Sequence, residues 1–229
     1  MVLSKLTICL GSHNYSSQVN IVVINILSIE EINLLISIGV DIGTKNGALA
    51  IIDSNLNILQ LINTPYYEVA SKTKQNKPKL NKETGKYEKD FKKSTWTDSV
   101  KLGKIYTPYL KNNIIYSIEK VGARPGEGEM NSFRFGNSLG INQCIQNLLQ
   151  PIQYNEFTPN YWKKELGVTS DKATSINLVN NIFEKPLLKF RGKLIKLNKS
   201  SNKEDDLAEA LLLSFLGLKE HLENNGENN

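Results

Sequence analysis

The sequence predicts an α/β fold, a mixed sheet flanked by helices, and three observations predict it. Short apolar runs bounded by turn residues lie among longer stretches whose apolar residues recur at helical spacing. The first three short runs follow one another with only turns between them. The later runs are separated by helical stretches, so strands and helices come in the order expected of one layered sheet.

Taken along the chain, the first strand is Ile36-Ser-Ile-Gly-Val40, ending at Asp41 and followed by a Gly-Thr-Lys-Asn-Gly turn. Ala48–Ile52, a turn at Asp53–Asn55 and Leu56–Ile62 complete a three-strand meander. Residues 71–93 switch to a lysine-rich stretch almost free of aliphatic side chains, which cannot build a core and reads as an exposed basic insertion. From Thr95 to Leu110 the residues Trp96, Val100, Leu102, Ile105, Tyr106 and Tyr109 predict a helix, and Ile114–Ile118 a buried strand. A glycine-rich loop over Gly122–Asn131 precedes a long helix from Phe133 to Leu149, stopped by Pro151. Ile152–Phe157 is a strand, Thr158-Pro159 opens a helix over Tyr161–Leu166, and Asp171–Phe183 is another. Leu187–Leu197 is basic and reads as extended, Lys203–Leu222 is the closing helix, and Glu223–Asn229 a polar tail.

At 229 residues and 40% hydrophobic, the chain can bury one core. The domain is expected over residues 36–222, after an N-terminal extension of residues 1–35. Residues 1–29 contain no acid and only Lys5 as a strong base, which suits an organellar transit peptide or, equally, an extra strand around Ile21–Ile26. No apolar stretch reaches the length of about 18 residues that a membrane span needs, so a soluble intracellular protein is expected, cytoplasmic or organellar. Cys9 and Cys144 make neither a disulfide framework nor a metal cluster. The net charge of +5 suits a phosphate-rich partner without requiring one.

Asp41 and Glu119 each close an apolar strand, where open sheets place functional groups. The final helix adds Asp205, Asp206 and Glu209, whose spacing puts Asp205 or Asp206 on one face with Glu209. The apolar stretch Leu207 to Leu218 anchors this acidic end to the core. Singly, such acids are turn formers, solvated side chains or dipole partners. Jointly they need countercharge, and a hard cation such as magnesium prefers carboxylate and water oxygens. Two such ions roughly 3.5–4 Å apart activate water and clamp a phosphate, so the reaction expected is phosphodiester hydrolysis.

Five segments carry a resemblance. Ile38-Gly-Val-Asp-Ile-Gly-Thr, Ile118-Glu-Lys-Val-Gly-Ala-Arg-Pro-Gly-Glu-Gly, Phe133-Arg-Phe-Gly-Asn-Ser-Leu-Gly, Pro159-Asn-Tyr-Trp-Lys-Lys and Asp206-Leu-Ala-Glu-Ala-Leu-Leu-Leu resemble the RuvC family of Holliday junction resolvases, in its phage and chloroplast branch. The resemblance covers about residues 36–220. It implies an RNase H-like fold and a homodimer that nicks four-way DNA junctions symmetrically. It also implies magnesium, as two ions for which manganese substitutes, held by Asp41, Glu119, Asp206 and Glu209. The double acid leaves Asp205 as the alternative to Asp206, and Glu209 stands where many bacterial members carry Asp.

Around these motifs, Arg124, Arg134, Lys163, Lys164 and Lys172 are expected to neutralise backbone phosphates, and Phe133 or Phe135 to stack on an unpaired base unless packed in the core. Trp162 is expected to anchor its helix, and the lysine-rich insertion to ride on junction arms or simply to be solvated. Besides a related RNase H-like nuclease acting on other branched or RNA-containing substrates, two rivals remain open. Gly39-Val-Asp-Ile-Gly-Thr also resembles the phosphate-binding opening of actin-like and sugar-kinase ATPases, although a chain of this size hardly holds their second domain. A non-catalytic RuvC-like scaffold that binds junctions without cutting is the other. His13 and His221 lie outside the motifs, so a histidine base is not expected.

Overall fold

The structure, a computed structural model, describes residues 34–74, 79–80, 82–88, 91–110, 112–120, 122, 126, 128–191, 197 and 202–226. All belong to one compact unit, Asn33–Asn229. The N-terminal extension, Arg124 and parts of the basic insertion lie outside the described residues.

The first strands are β1 (Leu35–Asp41), β2 (Ala48–Asp53) and β3 (Ile58–Asn63). The expected meander is present: β2 runs antiparallel to both β1 and β3. Asp53 makes the tight turn after β2, its carboxylate accepting from the backbone N–H of Asn55 and Asn57. The basic insertion is more ordered than its composition suggests. It lies within a two-stranded antiparallel ribbon of β4 (Tyr66–Lys74) and β7 (Phe91–Thr97), with a small pair β5 (Lys79–Leu80) and β6 (Tyr87–Glu88) beyond. Trp96, expected on a helix, therefore belongs to β7; the helix α1 begins only at Ser99 and runs to Tyr106 because Asp98 caps it, accepting from the Lys101 backbone N–H at 3.0 Å.

Then come β8 (Asn113–Glu119), α2 (Glu129–Leu149), β9 (Gln153–Phe157), α3 (Pro159–Glu165) and α4 (Lys172–Ile182). Gln150 ends α2 in a left-handed conformation directly before Pro151. Two expectations fail near the C-terminus. Glu184–Arg191 forms a helix, α5, where an extended segment was expected; its apolar Leu187 sits on the core as a helical residue. The last helix, α6, runs Asn202–Gly226, so most of the expected tail is helical.

The main sheet has the order β3-β2-β1-β8-β9, with β1, β8 and β9 parallel. Alternation along the central strands divides labour between its faces. Ile36, Ile38 and Val40 of β1 and Ile114, Tyr116 and Ile118 of β8 pack with Leu102, Tyr106, Ile145 and Leu149 of α1 and α2. The opposite face meets α6, whose buried residues surround it almost completely because α4 packs along its other side.

On that second face β1 presents Ser37, Gly39 and Asp41. Ser37 donates to the backbone carbonyl of Ser214 at 2.6 Å, and a Cβ at Gly39 would overlap the carbonyl oxygen of Ala210. Gly217 makes the matching close approach from the helix side, where a Cβ would run into Ser117 Oγ of β8. Small residues thus let α6 lie directly on the two strands that end in acids. Replacing Gly39 by Ala should cost about 1–3 kcal/mol of stability, because the obstacle is backbone and the helix must move as a unit. Urea unfolding measures it, and a variant within 0.5 kcal/mol of the parent, roughly the noise of a neutral substitution, would show that the contact is looser than described.

Candidate active site

Each acid is placed by a different local rule. Val40 pairs with Ile118 across parallel strands, so Asp41 and Glu119 are the next residues on neighbouring strands, both on the α6 face. The fit of Gly39 against Ala210 and Ser214 then fixes which turn of α6 lies over Asp41: the one bearing Asp205, Asp206 and Glu209. Asp41, Asp205 and Asp206 are buried, while Glu119 and Glu209 are half-buried.

Burial raises the Asp41 carboxyl well above the usual carboxylate range, and the charges of Glu209, Glu119, Asp206 and Asp205, in decreasing order, raise it further. The Asp206 carboxyl is pushed up to about 7 by burial and by the charge of Asp205, against the pull of Lys172. Glu209 is also raised by burial, with Lys163 opposing and Glu119 adding to it. Five carboxylates therefore share one electrostatic neighbourhood at the end of the sheet. All five are the acids singled out in the sequence.

Their partners explain how the cluster tolerates itself. Lys172, the first residue of α4 after its Asp171 cap, ion-pairs with Asp205, and this bond raises the Lys172 ammonium above the ordinary lysine range. Lys163 of α3 lies 3.4 Å from Glu209 Oε1 and 4.9 Å from the centre of the Trp162 ring. Trp162 is wholly buried, the anchor expected of it, and has a second task that the sequence did not reveal: its Nε1 donates to Glu119 Oε1 at 2.9 Å. Thr158 sets this helix, accepting from the Tyr161 backbone N–H with Pro159 in the first turn.

Among the described residues no three His, Cys, Asp or Glu side chains converge into a ready-made metal cage. Asp205, Glu209 and Glu119 instead turn oxygens toward Lys172, Lys163 and Trp162. The donor chemistry nevertheless fits a hard cation. It is all oxygen, it carries excess negative charge, and two buried oxygens, Asp205 Oδ1 and Asp206 Oδ2, have no hydrogen-bond partner.

The other singled-out residues divide. Phe133 is 64% exposed and meets Trp96 edge-on, with ring centres 5.8 Å apart; Phe135 is half-buried against the α1/α2 side of the core. Arg134 is half-buried, its Nη2 3.3 Å from Ser94 Oγ of β7. Lys164 is exposed, whereas Lys163 and Lys172, expected at phosphates, touch the acids. The spacing of α3 and α4 in the sequence carried no sign of that.

A five-stranded mixed sheet in this order, with its second strand reversed and helices on both faces, is an RNase H-like α/β fold. No family model and no curated protein sequence matches the chain. Among solved structures it is similar to Thermus thermophilus RuvC in complex with Holliday junction substrate, at 12% identity and a TM-score of 0.45, covering 83% of this chain and 96% of that one. It is also similar to a Thermus thermophilus RuvC structure at 14% identity and a TM-score of 0.41, over 81% and 96% of the two chains. No helix among the described residues is long and apolar enough to cross a membrane.

Proposed function

We propose that the chain is a divalent-metal-dependent endonuclease that resolves four-way DNA junctions, nicking opposed strands as a homodimer. The observation that carries this reading is the crowding of Asp41, Glu119, Asp205, Asp206 and Glu209 at one end of the sheet, with the carboxyls of Asp41, Asp206 and Glu209 raised in pKa and one buried oxygen each of Asp205 and Asp206 unpartnered. Such repulsion is costly in a folded protein unless a cation relieves it. The motif resemblance of the same residues to RuvC-type resolvases supplies the substrate class.

In this reading Asp41, Glu119, Asp206 and Glu209 hold magnesium or manganese. Asp206 is preferred to Asp205 because it acts more strongly on Asp41 and lacks the lysine partner that Asp205 has. A bound cation supplies water activation and neutralisation of the phosphate. The chain's own residues do the rest. Trp162 holds Glu119 by one oxygen; Lys163 and Lys172 keep the carboxylates compensated before metal and substrate arrive, then are free to meet phosphate; Arg134 and Lys164 neutralise the DNA backbone, and exposed Phe133 stacks on an unpaired base.

The test uses purified protein with a labelled mobile four-way junction and a linear duplex of matching sequence, with magnesium or chelator. Paired nicks in the junction alone, dependent on magnesium, are the expected result. The two lysine contacts within the acid cluster favour one rival, a junction-binding scaffold that does not cut. Tight junction binding without cleavage in magnesium or manganese would establish it, and no preference for the junction would overturn both readings.

A further inference from the structure

Positive charge gathers in two segments of this chain, residues 185–203, with seven bases and no acid, and residues 71–93. Residues 71–93 hold nine lysines and three acids, a net of +6, so the other residues sum to −1 within a chain of +5. A run of lysines as dense as residues 71–93 attracts a phosphate-rich partner at long range.

The fold puts that charge at the right end of the sheet. Asp41 pairs with Ala48, and Ala48 with Asn63, so the last residue of β3 lies in the same cross-strand row as Asp41. The chain then leaves the sheet through Thr64, buried and bonded from its N–H to the Gly47 carbonyl at 2.7 Å, and enters β4. It returns through β7 to Asp98, whose N–H donates to the Pro65 carbonyl at 2.8 Å, so both feet of the ribbon are tied together beside the catalytic rim. On one ribbon face Trp96 meets Phe133 and Ser94 meets Arg134, which brace it on the first turns of α2. Lys93 and Glu68 are paired at 3.2 Å on the other.

Nine residues of β4 reach about 30 Å at the usual strand rise, close to one turn of duplex, roughly 34 Å. A two-stranded ribbon also fits the major groove, which is about 12 Å wide. We propose that the β4–β7 ribbon is a duplex-binding arm, whose basic outer half grips the phosphates of one DNA arm flanking the site. This rests on the nuclease reading above. The arm reads no base sequence: its contacts are to phosphate, so junction and linear duplex gain from it alike. Lysines on an exposed ribbon also keep its edges from pairing with other chains, a role that leaves DNA affinity unchanged.

The test compares three proteins, all full length: the unaltered chain, the double variant Lys82→Gln/Lys86→Gln, at exposed positions beyond the ribbon strands, and Lys104→Gln/Lys219→Gln as a charge-matched control outside both basic segments. Binding to a labelled four-way junction and to linear duplex is measured in chelator from 50 to 300 mM salt, over which the Debye length falls from about 14 to about 6 Å. The Lys82/Lys86 variant should lose about tenfold in affinity for both DNAs and flatten the log K against log salt slope by about 1–2, since each phosphate contact contributes about 0.9. The control should match the unaltered chain. If the arm variant binds like the control, the arm's role is overturned and the nuclease reading stands; if the unaltered chain binds neither DNA, the nuclease reading itself has failed.

Discussion

Asp41→Asn should abolish junction cleavage by about a thousandfold or more, equivalent to about 4 kcal/mol of barrier, without loss of folding or DNA binding. The substitution keeps the volume of the side chain and removes its charge. In chelator that charge is a liability, because Asp41 sits buried among four other acids. The variant should therefore melt no lower than its parent when metal is absent, and bind DNA at least as tightly, having shed a negative charge beside the phosphate. Cleavage assays, thermal melts in chelator and binding isotherms measured together separate this outcome from simple misfolding. Cleavage within tenfold of the parent would remove Asp41 from the proposed site.

The second large effect concerns pH and metal together. An acid whose pKa is raised by folding binds a proton more tightly in the folded than in the unfolded chain, so stability falls as pH rises through the interval between the two values. For Asp206 that interval runs from the ordinary aspartate value of 3.8 to about 7, with no further loss above it. Discounted for solvent screening, the cost above pH 7 is on the order of 2 kcal/mol, or roughly 5 °C in melting temperature for a chain of this size. In chelator the protein should melt markedly lower at pH 8 than at pH 5.5. Asp206→Asn should flatten that dependence and melt higher than the parent at pH 8. Magnesium or manganese should raise the melting temperature of the parent at pH 8 and release protons on binding near neutral pH, visible by calorimetry in buffers of different ionisation enthalpy. A variant with the parent's full pH dependence would mean that Asp206 is not the strained group.

The elements that build the cluster were legible in the sequence because each follows from a local pattern. An apolar strand ending at Asp41 or Glu119 and an apolar helix preceded by Asp205, Asp206 and Glu209 can be read without knowing what lies opposite. What was not legible depends on contacts between distant segments. Trp96 falls at helical spacing from Val100, yet pairs with Tyr67 in a ribbon, and only the partner strand reveals that. Leu187 reads as extended amid basic residues, but its place on the core selects a helix. Trp162 is an anchor by composition and a donor to Glu119 only by geometry. Lys172 looks like any surface cation until α4 is laid beside α6, where it finds Asp205.

The shared face of Ser37, Gly39 and Asp41 also determines which changes of length the gene can survive. Deleting or inserting one codon within β1 would rotate every later side chain of the strand to the opposite face, sending Asp41 toward the apolar packing of α1 and α2 and an isoleucine or valine into the narrow seam beneath α6. The turn end of the ribbon answers to no such rule, because the contacts with α2 are made by Ser94 and Trp96 nearer its feet. Indels should therefore accumulate between residues 75 and 90 and be purged between 36 and 41, so that drift in length is channelled into the tip of the basic arm while the frame of the acidic rim is conserved.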